Sequence, residues 1–181
     1  MKNLLLLGDS IRMQYTPAVK DKLKGKANVY GPYDNGRWAG YTLNSLRFWM
    51  PHLPDPDIVH WNNGLWDMGD DYDLGRSFSP PDEYVSTLET IIKVLRNLYG
   101  ENLPIILATT TPTAKTDISA RHEYNELLKD TAARHGIPVN DLFSGIAACK
   151  DEFISSDGVH LTETGIAAAA EMVCACVSAY L

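Results

Sequence analysis

The sequence has 181 residues, of which 45% are hydrophobic, and its formal net charge is −7 at pH 7. A chain of this size and apolar content can bury the core of one domain, so we expect a single domain over residues 1–181. An acidic chain without a basic cluster is a poor candidate for binding nucleic acid or an anionic membrane surface, and no apolar stretch approaches the length of a membrane span.

The predicted elements alternate between strands and helices along the chain. Short apolar runs predict strands at 4–7, 27–30, 58–61, 105–108 and 137–139. Helical spacing of apolar residues predicts helices at 11–24, 41–49, 82–99, 119–135 and 164–180. This alternation is typical of a parallel sheet with helices on both faces. We therefore predict an α/β protein, a three-layer α/β/α sandwich with a parallel sheet of about five strands.

The first predicted strand is followed at once by Gly8, Asp9 and Ser10. Open parallel sheets bind ligands outside the carboxyl ends of their strands, so Ser10 is expected at the ligand-binding edge. A hydroxyl there, just before a helix, can act as a nucleophile, with backbone N–H groups of the helix pointing at the same place. The alternative is that Ser10 only caps the helix, as serine often does.

A second motif lies near the end of the chain, where Asp157 and His160 stand three residues apart. In a tight turn, that spacing lets the carboxylate reach the imidazole and fix its tautomer. A serine nucleophile needs a general base that is oriented by a third group. We therefore predict a catalytic triad of Ser10, His160 and Asp157. Structural or solvent-exposed roles are expected for the other histidines, which are His52, His60, His122 and His135.

Taken together, the strand–Gly–Asp–Ser start and the Asp-x-x-His end resemble the SGNH/GDSL hydrolase family, from Leu4 to about Gly165. The resemblance implies a flavodoxin-like fold and a serine esterase that needs no metal or organic cofactor. Its partner would be a small-molecule ester. Members of the family include carbohydrate O-acetylesterases, lysophospholipases, thioesterases and arylesterases.

The resemblance also implies a set of oxyanion-hole donors. One is the backbone N–H of Ser10, and a second comes from a glycine in the second sequence block of the family. Gly40 matches that glycine by its position just before a predicted helix, and Gly36 is the alternative. Either glycine could instead serve only a turn.

The third sequence block departs from the family's Gly-x-Asn-Asp pattern. Aligned on Gly64 and Asp67, the position of the asparagine holds Trp66. Asn62 and Asn63 come earlier, at the end of a predicted strand, and either amide could reach the site. We favour Asn63 as the oxyanion-hole donor, and we expect Asn62 to support the loop beside it and to belong to the substrate-binding residues. The alternative is that both amides only bond the backbone of the turn.

Aromatic residues are frequent in the loops near the predicted site, and Trp38 and Trp66 are expected to contact substrate. The loops at 31–40 and 64–81 lack the long apolar run that would line a channel for a fatty chain. Short acyl groups are therefore expected, and acetylated sugars are a candidate class. The aromatic residues that cluster near these loops are Tyr33, Trp38, Tyr41, Trp61 and Trp66. Two arginines could bind an anionic group of the substrate, Arg12 and Arg37.

The same motifs are compatible with other functions. A lysophospholipase or thioesterase of the same fold, or a binding module that has lost activity, would share the motifs. A flavodoxin-like nucleotide or phosphate binder would use Gly8, Asp9 and Ser10 as an anion loop, although a longer glycine-rich loop is absent. The cysteines, at 149, 174 and 176, form no metal or disulfide pattern, so reduced thiols and a cytoplasmic location are expected. The oligomeric state is left open.

Overall fold

The computed structural model describes residues 1–70, 75–114 and 118–181. Its strands are β1 (Lys2–Gly8), β2 (Ala27–Tyr30), β3 (Ile58–Asn62), β4 (Ile105–Ala108) and β5 (Val139–Asn140). Its α-helices are α1 (Ser10–Lys22), α2 (Ala39–Trp49), α3 (Pro81–Tyr99), α4 (Ile118–Arg134), α5 (Leu142–Ala147), α6 (Lys150–Phe153) and α7 (Glu163–Val177). Short 3₁₀ helices follow α2 and α7, at Met50–His52 and Ser178–Tyr180. None of the helices in these ranges is long and apolar enough to cross a membrane.

The five strands form one parallel sheet in the order β2-β1-β3-β4-β5, which confirms the predicted sheet. The four leucines 4–7 are fully buried in β1, since this strand has neighbours on both edges and helices on both faces. Leu4 pairs with Ile58 and Gly8 pairs with Asn62, so β1 and β3 end side by side. The residues that follow these two strands therefore meet at one edge of the sheet.

Helices cover both faces of the sheet, as predicted. On one face, Leu5 and Leu7 pack with buried residues of α2, α3 and α4. On the other, Leu4 and Leu6 pack with α1, α5 and α7. Burying one leucine side chain completely contributes roughly 1.5–3 kcal/mol. Successive side chains of β1 point to opposite faces of the sheet, so this strand contributes two leucines to each of the two apolar layers.

Several element bounds differ from those predicted. The helices α5 and α6 were not expected, because segments of six and four residues are too short to show a helical period. The last strand, expected at 137–139, is Val139–Asn140. The helix expected from Tyr41 begins at Ala39, which places Gly40 inside its first turn instead of in the preceding loop.

Candidate active site

Ser10 is the first residue of α1, and it does not cap that helix. The cap is Asp9, whose carboxylate Oδ1 accepts a hydrogen bond from the Ile11 backbone N–H at 3.0 Å. Gly8 has a φ of 140°, and a Cβ atom there would lie 2.6 Å from the Asn62 carbonyl oxygen. Only glycine therefore allows the tight approach of β1 to β3 from which the chain turns into Ser10. The capping alternative for Ser10 is wrong.

The turn around Asp157 holds this carboxylate in one orientation. Its Oδ1 atom accepts hydrogen bonds from the Val159 N–H at 2.8 Å, the His160 N–H at 2.9 Å and the Ser155 hydroxyl at 2.8 Å. Its Oδ2 atom lies 2.7 Å from Nδ1 of His160. The Val159 N–H and the His160 ring are the main donors that hold the pKa of Asp157 well below its usual range. The carboxylate is thus kept ionised beside the imidazole.

The other ring nitrogen of His160 faces Ser10, at 3.1 Å between Nε2 and Oγ. An imidazole whose Nδ1 donates to a carboxylate has an unprotonated Nε2, which can accept a hydrogen bond from the Ser10 hydroxyl. Gln14 of α1 fixes the same turn, because its Oε1 atom accepts from the Leu161 N–H at 3.0 Å. The structure therefore brings the residues of the predicted triad together.

A buried polar network lies beneath Ser10. The Asn62 amide donates to Asp9 Oδ1 at 3.0 Å, and the Tyr15 hydroxyl donates to Asn62 Oδ1 at 2.9 Å. Burial raises the pKa of Asp9 above its usual value. Asn62 is 2% exposed and both ends of its amide are engaged inside the protein. Asn62 therefore supports the Asp9 cap, and its contact with substrate stays a prediction.

Asn63, the predicted oxyanion-hole donor, also lies buried at the edge of the sheet. Its amide nitrogen donates to the Arg37 carbonyl at 2.7 Å, and its amide oxygen accepts from the Trp61 indole. An amide nitrogen carries two protons, and no second acceptor is found for this one within the described part of the chain. Asn63 thus holds the loop between β2 and α2 while retaining one donor, and its role in an oxyanion hole stays a prediction.

Two glycines, Gly40 and Gly36, are the candidates for the second oxyanion-hole donor. Gly36 donates its N–H to the Gly8 carbonyl at 2.9 Å, so this N–H is already used. Gly40 lies in the first turn of α2, where backbone N–H groups lack helical partners. Across residues 1–70, 75–114 and 118–181, no acceptor is found for the Gly40 N–H. The assignment of Gly40 to the oxyanion hole stays a prediction.

Asp67 is a connecting residue that sequence reasoning missed. Its carboxylate accepts from the Ala39 N–H at 3.0 Å and 3.1 Å and from the Ser79 hydroxyl at 2.9 Å. It thereby joins the start of α2 to the segments before and after residues 71–74. Burial raises the pKa of Asp67 to about 6. Its place after Gly64 in the third sequence block was the only available signal.

The aromatic residues divide into three groups. The Trp38 ring packs against Phe78 with centroids 4.9 Å apart and against Tyr41 at 5.4 Å, so two loops share one aromatic cluster. Trp66 and Tyr33 are exposed, Trp66 by 37% of its surface. Trp61, next to the last residue of β3, is buried in the core, and its indole donates to the Asn63 side chain. Contact of Trp38 and Trp66 with substrate stays a prediction.

The two arginines have different surroundings. Arg12 is buried, and its guanidinium donates to the carbonyls of Pro32 at 2.9 Å and Asp34 at 2.7 Å. Both terminal nitrogens of this buried guanidinium donate to backbone carbonyls, so the prediction that Arg12 binds an anionic group of the substrate is wrong. Arg37 is half-buried and its guanidinium lies 4.4 Å from the centroid of the Tyr41 ring.

The remaining histidines lie apart from this arrangement. His60 is buried in β3, where its Nε2 atom is 3.1 Å from the Asn140 amide nitrogen and burial lowers its pKa to about 4. His52 and His122 are exposed. Within the described ranges, no group of three His, Cys, Asp or Glu side chains is placed to hold a metal ion.

Comparison with known proteins defines the fold. No family model and no curated protein sequence matches the chain. Among solved structures, the acetyl xylan esterase AlAXEase superposes with a TM-score of 0.79 at 17% identity, covering 97% of this chain and 99% of that one. The lipase/acylhydrolase from Enterococcus faecalis gives 0.81 at 19% identity, with 99% and 96% covered. A protein described as a GDSL-like lipase, from Parabacteroides merdae, gives 0.79 at 15%, with 98% and 95% covered. The chain has the fold of the SGNH/GDSL hydrolases, as predicted.

Proposed function

We propose that this chain is a serine esterase of the SGNH/GDSL family that hydrolyses carboxylic esters. The observation that carries the proposal is the continuous series of contacts from the Ser10 hydroxyl through the His160 ring to the Asp157 carboxylate. A serine hydroxyl is a weak nucleophile unless a base can take its proton, and this arrangement supplies an oriented base.

The reaction proceeds in two halves. Ser10 Oγ attacks the acyl carbon while Nε2 of His160 takes the hydroxyl proton, and Asp157 stabilises the imidazolium that forms. His160 then gives this proton to the leaving alcohol as the bond between the acyl carbon and the alcohol oxygen breaks. In the second half, His160 takes a proton from water while the water oxygen attacks the acyl carbon. His160 then returns this proton to Ser10 Oγ as the bond between Oγ and the acyl carbon breaks and the acid is released.

The developing oxyanion needs hydrogen-bond donors. The donors that we assign to the oxyanion are the backbone N–H groups of Ser10 and Gly40 and the second amide proton of Asn63. The first two stand at helix N-termini, where backbone N–H groups lack helical partners and the helix dipole favours negative charge.

The proposed substrates are esters of short acyl groups, with acetylated carbohydrates as the natural class. The aromatic cluster of Trp38, Tyr41 and Phe78 and the exposed Trp66 supply faces of the kind that pack on sugar rings. The likeness to an acetyl xylan esterase supports the same choice. A lysophospholipase, a thioesterase and an inactive binding module are the competing outcomes.

Rates on p-nitrophenyl acetate, butyrate and octanoate test this proposal. We expect wild-type protein to cleave acetate at least as well as the longer esters, and Ser10→Ala to abolish turnover of all three. A kcat/KM that climbs steadily to octanoate would favour a lipase-like or thioesterase role. Wild-type protein that cleaves none of these esters would favour the inactive module.

We also propose that the protein acts in the cytoplasm. Its cysteines are free thiols, at Cys149, Cys174 and Cys176. Free thiols of this kind are usual in reducing compartments. Fractionation of the source cells would test the location, and recovery outside the cytoplasm would contradict it.

A further inference from the structure

The backbone of Arg37 is in a conformation that arginine rarely adopts. Its φ is 49°, and among the described residues it is the one non-glycine position with a positive φ. A bulky side chain in the left-handed region is strained, and such residues cluster at ligand-binding and catalytic sites. The strain alone assigns no role to Arg37, and a role has to be argued from the contacts of its backbone and side chain.

The surrounding structure holds Arg37 in this conformation from both sides. Its N–H donates to the Asn35 side-chain oxygen at 2.8 Å, and its carbonyl accepts from the Asn63 amide at 2.7 Å. The preceding residue, Gly36, is fixed by the hydrogen bond of its N–H to the Gly8 carbonyl. Gly8 stands two residues before Ser10, and Asn63 directly follows β3. Arg37 is therefore held across the ends of β1 and β3, at the edge that carries the nucleophile.

The side chain of Arg37 is available for a further partner. Its guanidinium stacks over the Tyr41 ring at 4.4 Å, and within the described ranges it forms no ion pair. Stacking uses the face of the guanidinium, whereas its N–H donors lie in the plane and match a carboxylate with two parallel hydrogen bonds. The nearby Asp34 carboxylate is engaged by the Tyr41 hydroxyl at 2.5 Å.

We propose that Arg37 is a specificity-determining residue that binds a carboxylate group of the ester substrate. The inference rests on the proposed esterase function and narrows its substrate class to esters that carry a negative charge. Arg12 cannot bind this carboxylate, because it is buried and both of its terminal nitrogens donate to backbone carbonyls. The tyrosine ring and the fixed backbone orient the guanidinium in advance, which lowers the entropy lost when a carboxylate binds.

The test compares esters that differ only in charge. One pair places the charge in the leaving group, 4-acetoxybenzoate against its methyl ester. The other places it in the acyl group, 4-nitrophenyl hydrogen succinate against methyl 4-nitrophenyl succinate. We expect wild-type protein to prefer the charged member of one pair, and that pair identifies the half of the substrate that carries the carboxylate.

Arg37→Gly is the decisive variant, because glycine keeps the left-handed turn while removing the guanidinium. It should lower kcat/KM for the preferred charged ester roughly 10- to 100-fold more than kcat/KM for its neutral partner. Arg37→Lys should retain part of the preference. The matched control is Arg47→Gln, since Arg47 is exposed on α2 and also stacks on an aromatic ring, that of Phe48 at 4.6 Å. This control should change neither rate.

The outcomes separate the two proposals. In Arg37→Gly, the ratio of kcat/KM for the charged ester to kcat/KM for the neutral ester should fall in one of the two pairs. If this ratio stays the same in both pairs, because the two rates fall equally or not at all, carboxylate recognition by Arg37 is overturned and the esterase proposal stands. Failure to cleave any of the four esters would overturn the esterase proposal instead.

Calorimetric binding of 4-acetoxybenzoate and of 4-nitrophenyl hydrogen succinate in a Ser10→Ala background tests Arg37 without turnover. Loss of binding on adding Arg37→Gly supports the inference, and unchanged or undetectable binding of both compounds contradicts it.

Discussion

The Nε2 atom of His160 lies 3.1 Å from the hydroxyl oxygen of Ser10, although 150 residues separate the two in sequence. Ser10 opens α1, and His160 stands in the turn before α7. These two helices pack on the same face of the sheet. The Gln14 side chain ties α1 to Leu161 through two hydrogen bonds, of 3.0 Å and 3.3 Å. The distance between the proposed nucleophile and its base is therefore set by helix packing that is independent of substrate.

The first prediction concerns the carboxylate that orients His160. Asp157→Asn should lower kcat strongly, because an amide in this place favours the wrong imidazole tautomer; in serine proteases the loss is about 10⁴-fold. Ser155→Ala is the matched control, since it removes one hydrogen bond to Asp157 and leaves the backbone donors in place. It should cost less than about 10-fold. Equal effects of the two changes on kcat would contradict the role of Asp157.

The second prediction concerns pH. The base must be unprotonated to accept the serine proton, so kcat/KM should fall as the pH drops through the range in which imidazoles gain a proton. Hydrogen bonds hold the pKa of Asp157 well below its usual range, so this carboxylate stays ionised throughout. The acid limb should therefore follow a single ionisation. A flat profile, measured where the chemical step limits the rate, would argue against a histidine base.

The third prediction separates Asn63 from Asn62. Asn63→Ala should lower kcat by roughly 10²–10³-fold with little change in KM, as expected when a donor to the transition state is lost. Asn62→Ala should mainly lower the free energy of unfolding, by about 1–3 kcal/mol, because Asp9 and Tyr15 lose a buried partner. Kinetics and urea unfolding of both variants decide the matter. A larger kcat effect at Asn62 would reverse the assignment.

The fourth prediction concerns stability and pH at Asp67. Burial raises the pKa of this carboxyl from its ordinary value of 3.8 to about 6. Its contribution to the free energy of unfolding is therefore fully present below about pH 4 and is lost as the pH rises through 6, by at most roughly 3 kcal/mol. The difference in unfolding free energy between wild-type protein and Asp67→Asn should change across this window. A difference that is constant from pH 4 to 7 would show that Asp67 does not titrate there.

The sheet could be predicted because its strands are apolar runs that end at glycine, asparagine or threonine. The bounds of β2 and β4 agree with the prediction residue for residue. The two helices after β5 could not be found, since a helix of six residues contains fewer than two turns. The predicted last strand includes Pro138, whereas β5 begins at Val139.

The proximity of Ser10, His160 and Asp157 could also be predicted, because the motif at each end of the chain is local in sequence. The neighbouring asparagines could not be told apart, since consecutive residues at a strand end point to opposite faces of the sheet. The pairing of Asn62 with Gly8 turns its side chain towards Asp9 and leaves Asn63 to face the loop after β2. Register between distant strands decides such orientations, and no local pattern encodes it.

The most direct test of the account is covalent labelling by an organophosphonate ester probe, followed by intact mass and peptide mapping. We expect wild-type protein to gain one phosphonyl group on Ser10, with His160→Ala reacting far more slowly because the hydroxyl has lost its base. Ser10→Ala should gain none. Labelling of another residue, or an equal rate of labelling with and without His160, would contradict the claim that Ser10 is a nucleophile activated by His160.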